Sequence, residues 1–368
     1  MTTDSLPTSL IALIAAGRRW LGTTPGSPAH DASDDLTDYA LRHGMVAWSP
    51  APLRDGVLRQ HMARALEGIR LLQVLTAALI DAQISVVAFK GPAFSQWLYG
   101  DACARRFSDL DLLIAEAQRD DALRVLEKLG FSPRLPRGAG DVVYRSTGAW
   151  PMDREGCHTV DVHWRVCGPR FPQMVSASAV FEHAREIPLG AGMVPVPCAE
   201  HMAALTLAHA AKHVWYALEL PFSIAAMMAR SDIDWAEVRR LTTAARAVRG
   251  AAAGLSLAGD LFQVGVPAPF QADIDQAAVD QLCRCAHQTL ALPPGVFPDR
   301  RLERRMHRLS FDQFADRMGY DVRRLMEPTH AEVEWLPLPR SLSGLYRPVR
   351  VVRLGAVLAR GMLQRSRH

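Results

Sequence analysis

Two aspartates one residue apart open a run of leucine and isoleucine in "SDLDLLIA", residues 108–115. On a strand, residues i and i+2 point to the same side, so Asp109 and Asp111 share one face while Leu110 and Leu112 anchor the other. Two carboxylates that close repel unless a cation lies between them. A fold built on this segment needs a buried strand with one open, acidic face. Hard divalent ions, Mg²⁺ above all, take such oxygen ligands and are usually shared with substrate phosphates. Asp161 stands between Val160 and Val162 in "TVDVHWRV" and repeats the pattern on a second predicted strand. Three carboxylates on adjoining strands suit two metal ions and an in-line displacement at phosphorus.

The flanking segments supply the rest of such a core. "ISVVAF" (84–89) is short and rich in β-branched residues, which predicts a buried strand. Gly91 and Pro92 suit the start of a helix over "AFSQWLY". Backbone N–H groups at that helix start would favour phosphate. "RDDALRVLEKLG" (119–130) predicts a helix closed by glycine, and "DVVYRS" and "TVDVHWRV" predict further strands. Helical spacing runs through "LRQHMARALEGIRLLQVLTAALIDA" (58–82). After about residue 198 the pattern turns helical, in "AEHMAALTLAHAAKHVWYALEL", "DWAEVRRLTTAARAV" and "AAAGLSLAGDLFQVG". The Pro-rich stretch 328–348 reads as a lasso-like connector before a basic last helix. The expected fold is α+β: a small mixed sheet core over 83–197, an N-terminal helical region over 1–82, a helical domain over 198–327, and the connector and basic helix over 328–368.

Composition narrows the setting. A chain of 368 residues that is 49% hydrophobic has ample material for real cores. A net charge of +4 is too mild to demand nucleic acid and is compatible with an anionic substrate such as a nucleotide. Of 42 basic side chains only three are lysines, Lys90, Lys128 and Lys212, so each position raises the question of what a compact point charge does there. The apolar run "LIALIAAG" (10–17) lacks a basic leader, and no stretch reaches the length of a membrane span. Six scattered cysteines do not form a disulfide framework, and a reducing cytoplasm is expected. Cys283, Cys285 and His287 lack the second half of a metal motif and are expected to be ordinary core or surface residues. His209 and His213, four apart on a helix, have the spacing of a metal pair but no third ligand at motif distance, so they are expected to line a cleft or pack. Arg347, Arg350, Arg353 and Arg360 make a basic amphipathic end, expected to dock on its own domain.

At Lys90-Gly91, Leu98-Tyr99-Gly100, Arg105 and Asp109-Leu110-Asp111-Leu112-Leu113, the chain resembles the uncharacterised nucleotidyltransferase family of the DNA polymerase β-like superfamily. The resemblance continues through "VDVHWRV", where Asp161 matches the third carboxylate, and through "LAHAAKHVW" with His209, Lys212 and His213. It reaches the Pro-Leu-Pro and Arg-Pro segment near 337–348. It implies a metal-dependent nucleotidyltransferase with Asp109, Asp111 and Asp161 as catalytic residues holding Mg²⁺ (or Mn²⁺). A nucleoside triphosphate, ATP among the candidates, would lie against Lys90, Gly91, Arg105 and Ser108. His209, Lys212 and His213 would face the substrate from the helical domain. The acceptor attacks the α-phosphorus and pyrophosphate leaves, with Asp161 assisting deprotonation. The residues do not name the acceptor, which is a peptide, a saccharide or another small molecule; the family's gene neighbourhoods point to a tailoring step.

Two positions depart from the family pattern. Pro92 stands where the superfamily usually carries Gly or Ser, which removes one N–H from the phosphate cradle and leaves Lys90 to replace it as a point charge. Ser223 stands where an aspartate is frequent. The rival reading is a non-catalytic nucleotide-binding or interaction protein, against which three mutually repelling acids argue. A hydrolase built on His209 and His213 is disfavoured, because those residues belong to a different segment class from the acidic strands.

Overall fold

The computed structural model describes residues 6–24, 35–136, 138–145 and 147–365, with side chains to residue 357. Three helices come first: α1 (Thr8–Trp20), α2 (Leu36–Arg42) and α3 (Val57–Asp81). The sheet segment follows as β1 (Val86–Ala88), α4 (Gly91–Tyr99), β2 (Asp109–Ile114), α5 (Arg119–Lys128), β3 (Ser132–Pro133), α6 (Ala139–Arg145), β4 (Ala149–Asp153) and β5 (Thr159–His163). Then come α7 (Ala177–Glu182) and a hairpin of β6 (Arg185–Leu189) and β7 (Gly192–Val196). The helical remainder is α8 (Ala199–Lys212), α9 (Glu219–Met228), α10 (Trp235–Ala244), α11 (Val248–Phe262), α12 (Gln276–Leu290), α13 (Arg300–Ser310), α14 (Phe314–Met326), α15 (His330–Trp335) and α16 (Tyr346–Arg365). The fold is α+β.

The five-stranded sheet runs β1-β2-β5-β4-β3, with β2 and β5 parallel and the other neighbours antiparallel. Alternation along β2 divides its duties. Leu110, Leu112 and Ile114 are almost fully buried in a core shared with Leu72, Leu75 and Leu79 of α3 and Leu123 and Leu126 of α5. Each such side chain stabilises by about 1.5–3 kcal/mol, which fixes the register and forces Asp109 and Asp111 onto the opposite face. The same core continues into α8, α9, α11 and α12, so the helical part packs directly against the elements that carry the acids. Aspartates at Asp234, Asp275 and Asp299 cap the starts of α10, α12 and α13 by accepting backbone N–H groups.

Three segment expectations change. "DVVYR" (141–145) is helical, Ser146 lying outside the described residues: α6 buries Ala139, Gly140, Val143 and Tyr144, a spacing of 3.6 that overrides the β preference of two valines. The strand paired with β5 is instead β4, just downstream, whose Trp150 and Met152 enter the core. The long helix expected over 199–220 breaks after Lys212, where Val214 and Trp215 adopt left-handed backbone (φ 47° and 50°) and α9 restarts at Glu219. The Pro-rich connector is also not a bare loop. It contains α15, whose Glu332 is completely buried and pairs with Arg350 at 3.1 Å and Arg353 at 2.5 Å on α16. Two of the arginines of the basic end are therefore spent inside the protein; the Arg360 side chain lies outside the described residues. Among the described residues, no helix is long and apolar enough to cross a membrane. All six cysteines are free; Cys283 and Cys285 are both buried on α12, Cys283 against the Ala253 carbonyl of α11.

Candidate functional site

The parallel pairing of β2 with β5 sets Asp111 opposite Asp161 and Asp109 opposite Thr159. The acids expected to act together thus sit side by side on one sheet face. Asp111 is nearly buried; Asp109 and Asp161 are half-buried. Burial raises the pKa of Asp109, and the neighbouring Asp111 raises it further. Burial also raises Asp161, with Asp111 and Asp109 adding to the effect against the pull of His163. Asp111 goes the other way. Burial alone would raise it, but Lys90 and His163 outweigh that cost and hold it well below the usual carboxylate range.

Lys90 reaches Asp111 from the end of β1. Its Nζ donates to Asp111 Oδ1 at 2.7 Å. Burial works against its charge, yet Asp111 outweighs this and its pKa is raised. The other partner of the same oxygen is His163 Nε2, at 2.8 Å. His163 was not singled out from the sequence, although the rule applied to Asp109 and Asp111 would have found it. In "VDVH" it stands two residues after Asp161 and therefore on the same strand face. Asp111, Asp161 and His163 each present a donor atom, all within 4.8 Å of one another, a set that fits a divalent ion. Asp109 lies outside that closest group. Moreover, Asp111 is not an uncompensated charge without metal, so retention of the acids does not by itself demand an ion.

The helix after Lys90 starts as expected. Lys90 occupies the N-cap of α4, Gly91 has φ +60°, and Pro92 falls in the first turn. A Cβ on Gly91 would meet the Asp109 carbonyl at 3.5 Å and would be strained by the backbone angle, so glycine lets the helix start lie against the first acid. Arg105 is enclosed and pairs with Glu219 at 3.4 Å, and its backbone N–H donates to Ser95 Oγ at 3.0 Å. Burial alone would lower its pKa; Glu219 more than offsets this. Ser108 is exposed at the mouth, 3.4 Å from Asp109 Oδ1. Buried His158 braces this turn through contacts to the carbonyls of Ser108 (3.3 Å) and Arg64 (2.9 Å).

A cleft of about 340 Å³ opens above these residues, within the size range of small-molecule sites. Its lining brings together Lys90, Gly91, Arg105, Ser108, Asp109 and Asp111 from the sheet side, and His209, His213 and Glu219 from the helical side. Asp161 is absent from the lining and joins through its register with Asp111. Lys212 is also absent; it edges a smaller inner cavity together with Lys90, His163 and His209. The break after Lys212 matters here, because it turns α9 so that Glu219 meets Arg105. Ser223 on α9 hydrogen-bonds with the Tyr99 hydroxyl at 2.9 Å and donates to the Glu219 carbonyl at 2.7 Å, a bracing role.

The His209 and His213 rings lie 4.4 Å apart. Burial first, then His213 and Lys90, hold His209 well below its ordinary pKa. Burial and Lys212 bring His213 down to about 3. Both rings are neutral near pH 7 and offer hydrogen bonds, not charge. Lys212 is exposed at the end of α8 and has no ion pair among the described residues.

The profile of a family described as uncharacterised nucleotidyltransferase matches residues 50–263, more than half of the chain. No curated protein matches. Among solved structures, the antibiotic-resistance factor ANT(2″)-Ia is similar at 15% identity over 49% of this chain and 91% of that one, with a TM-score of 0.33. An antigenic nucleotidyltransferase-like protein from Paracoccidioides brasiliensis is similar at 17% identity over 58% of this chain and 97% of that one, with a TM-score of 0.35.

Proposed function

We propose, from the premise that this chain belongs to the uncharacterised nucleotidyltransferase family, that it transfers a nucleotidyl group from a nucleoside triphosphate to an acceptor and releases pyrophosphate. The observation that carries this reading is the parallel register placing Asp111 beside Asp161, next to a glycine-opened helix start at the same cleft. Asp109, Asp111 and Asp161, with His163, would hold Mg²⁺ or Mn²⁺, which when bound supplies charge neutralisation at the α-phosphate. Lys90, Gly91, Arg105 and Ser108 would bind the triphosphate, Lys90 as a point charge and Gly91 through its backbone N–H. Asp161 would assist deprotonation of the acceptor, directly or through the metal. Neutral His209 and His213 would orient the acceptor or the nucleotide from the opposite wall. The sheet segment 83–197 is the catalytic unit in this reading, and the helices of 198–327 form the second wall. The acceptor is a peptide, a saccharide or another small molecule.

A second reading, nucleotide binding without turnover, draws on Lys90 and His163 already satisfying Asp111. Incubation of the protein with each α-labelled nucleoside triphosphate, Mg²⁺ or Mn²⁺ and candidate acceptors, followed by mass spectrometry, separates the two. A nucleotidyl adduct with pyrophosphate release is expected. Saturable binding of a nucleotide with neither product would favour the second reading.

A further inference from the structure

We propose that the Lys90 ammonium is the resident cation of the acidic site, excluding divalent metal from Asp111 until a polyphosphate draws the lysine away. Only the polyphosphate half rests on the nucleotidyl-transfer reading; the competition between lysine and metal stands on geometry alone. Asp111 Oδ1 accepts from Lys90 Nζ at 2.7 Å and from His163 Nε2 at 2.8 Å, so both lone pairs of that oxygen are taken. The Asp111 side chain is 5% exposed and that of Lys90 21%, so solvent screens this pair far less than a surface ion pair. The donor atoms of Asp111, Asp161 and His163 lie within 4.8 Å of one another, which puts any ion they share close to the same ammonium. An ammonium and a divalent ion at such range in an enclosed site repel strongly. The two therefore compete for Asp111.

The lysine is built to be the one that moves. It follows β1 by two residues and occupies the N-cap position of α4, so its backbone is fixed while four rotatable side-chain bonds carry the charge. Its side chain borders both the open cleft and the inner cavity, leaving room for the ammonium to swing toward the helix start at Gly91. Arg105, the nearest alternative cation in the cleft, is tied to Glu219 and does not substitute for it. Without a polyphosphate the protein therefore balances Asp111 with its own lysine, and metal enters together with the anion that gives Lys90 a new partner.

The test uses Mn²⁺ alone, followed by electron paramagnetic resonance of the free ion, on the full chain and on Lys90→Met, which keeps the side-chain bulk. Lys90→Met is expected to bind Mn²⁺ about tenfold more tightly or better, because the charge that competes for Asp111 is gone. Equal or weaker Mn²⁺ binding overturns the proposal. A second measurement leaves Lys90 in place. Reductive ¹³C-methylation of a chain with only three lysines gives few signals, and that of Lys90 is identified by comparison with variants at Lys128 and Lys212. The Lys90 signal is expected to stay in place with Mg²⁺ alone and to shift with Mg²⁺ and inorganic tripolyphosphate together. Movement with Mg²⁺ alone, or none with both, overturns the proposal. Failure of every labelled nucleotide in the transfer assay would sink the nucleotidyl-transfer reading while leaving the Mn²⁺ comparison untouched.

Discussion

His163 Nε2 lies 2.8 Å from Asp111 Oδ1, reaching it from the neighbouring parallel strand. The contact follows from register. Leu113 of β2 is opposite His163, so the imidazole leans one pleat back toward the acid that faces Asp161. A histidine two residues after the third carboxylate therefore belongs to the acidic face, either as a ligand or as the group that orients one.

Truncating that ring should show it. His163→Ala is expected to lower nucleotidyl transfer and Mn²⁺ affinity about 10–100-fold, the range for losing a ligand's partner or a ligand. Its thermal stability should fall modestly, because a largely enclosed ring packed on Phe89 is lost while Asp111 keeps Lys90. Unchanged kcat/KM together with unchanged Mn²⁺ affinity would remove His163 from the site.

The first two acids should separate in stability although both are needed for transfer. Asp109 is raised by burial and by Asp111, so Asp109→Asn removes a charge that the fold tolerates poorly and should hold or raise the melting temperature. Asp111→Asn strands Lys90 and His163 and should cost on the order of 3 kcal/mol, the low end for breaking a buried pair. Melting curves and transfer assays on both variants check this. Equal destabilisation of the two would contradict the asymmetry.

What could be read from the sequence was whatever depended on short-range periodicity. The alternation in Asp109–Ile114, the glycine and proline opening α4, and the helical spacing of α3 are local, and local sterics decide them. What was not legible depended on partners distant in sequence. Val143 and Tyr144 favour a strand by propensity, yet with Ala139 and Gly140 they bury as a helical face, which only the packing around Trp150 and Tyr144 selects. The break at Val214 has no glycine to announce it. The pairing of Lys90 with Asp111 spans 21 residues and joins β1 to β2, so no spacing rule reveals that the first lysine already occupies the acid's attention.

Acid sensitivity should trace in part to His43. It is completely buried, its Nδ1 accepts the Leu218 N–H at 3.1 Å, and burial followed by Arg42 brings its pKa down to about 3. The folded protein keeps this ring neutral while the unfolded chain takes up a proton below about pH 6.5, so stability is lost as pH falls from there toward 3. His43→Asn retains an acceptor but does not titrate. The melting-temperature difference between wild type and variant should narrow or invert from pH 7.5 to pH 5; an unchanged difference would clear His43 of the effect.

The clasp at the C-terminal end should be structural. Glu332 is completely buried and holds Arg350 and Arg353, and its lowered pKa arises because its hydrogen bonds with Thr329 and Arg353 and the charge of Arg350 outweigh a burial cost that is the largest single influence. Glu332→Gln leaves the nearly buried Arg350 without its counter-charge and should cost about 3–5 kcal/mol. Transfer activity per folded molecule should persist, since none of these residues lines the acidic cleft. Loss of activity at full stability would give this clasp a functional part.

The wall formed by the helical domain yields the last expectation, which separates His209 from Lys212. His209 borders both the acidic cleft and the inner cavity, and its ring makes no hydrogen bond among the described residues, so its nitrogens are available to a ligand. Lys212 ends α8, where a cation also gains from the helix macrodipole, and it borders only the smaller cavities. His209→Ala should therefore raise the apparent KM for nucleotide or acceptor about tenfold at constant melting temperature, an effect of the size of one lost hydrogen bond in an enclosed site. Lys212→Ala should show the smaller kinetic change of the two, with any stability loss limited to the few tenths to one kcal/mol of a helix-end charge. Steady-state kinetics on both substrates, paired with melting curves, decide between them. If Lys212→Ala costs more turnover than His209→Ala, the charge at the end of α8 faces the substrate and the division drawn from the cavity linings is reversed. If zinc survives extensive dialysis and is lost in His209→Ala, the pair at 209 and 213 is a metal site in its own right.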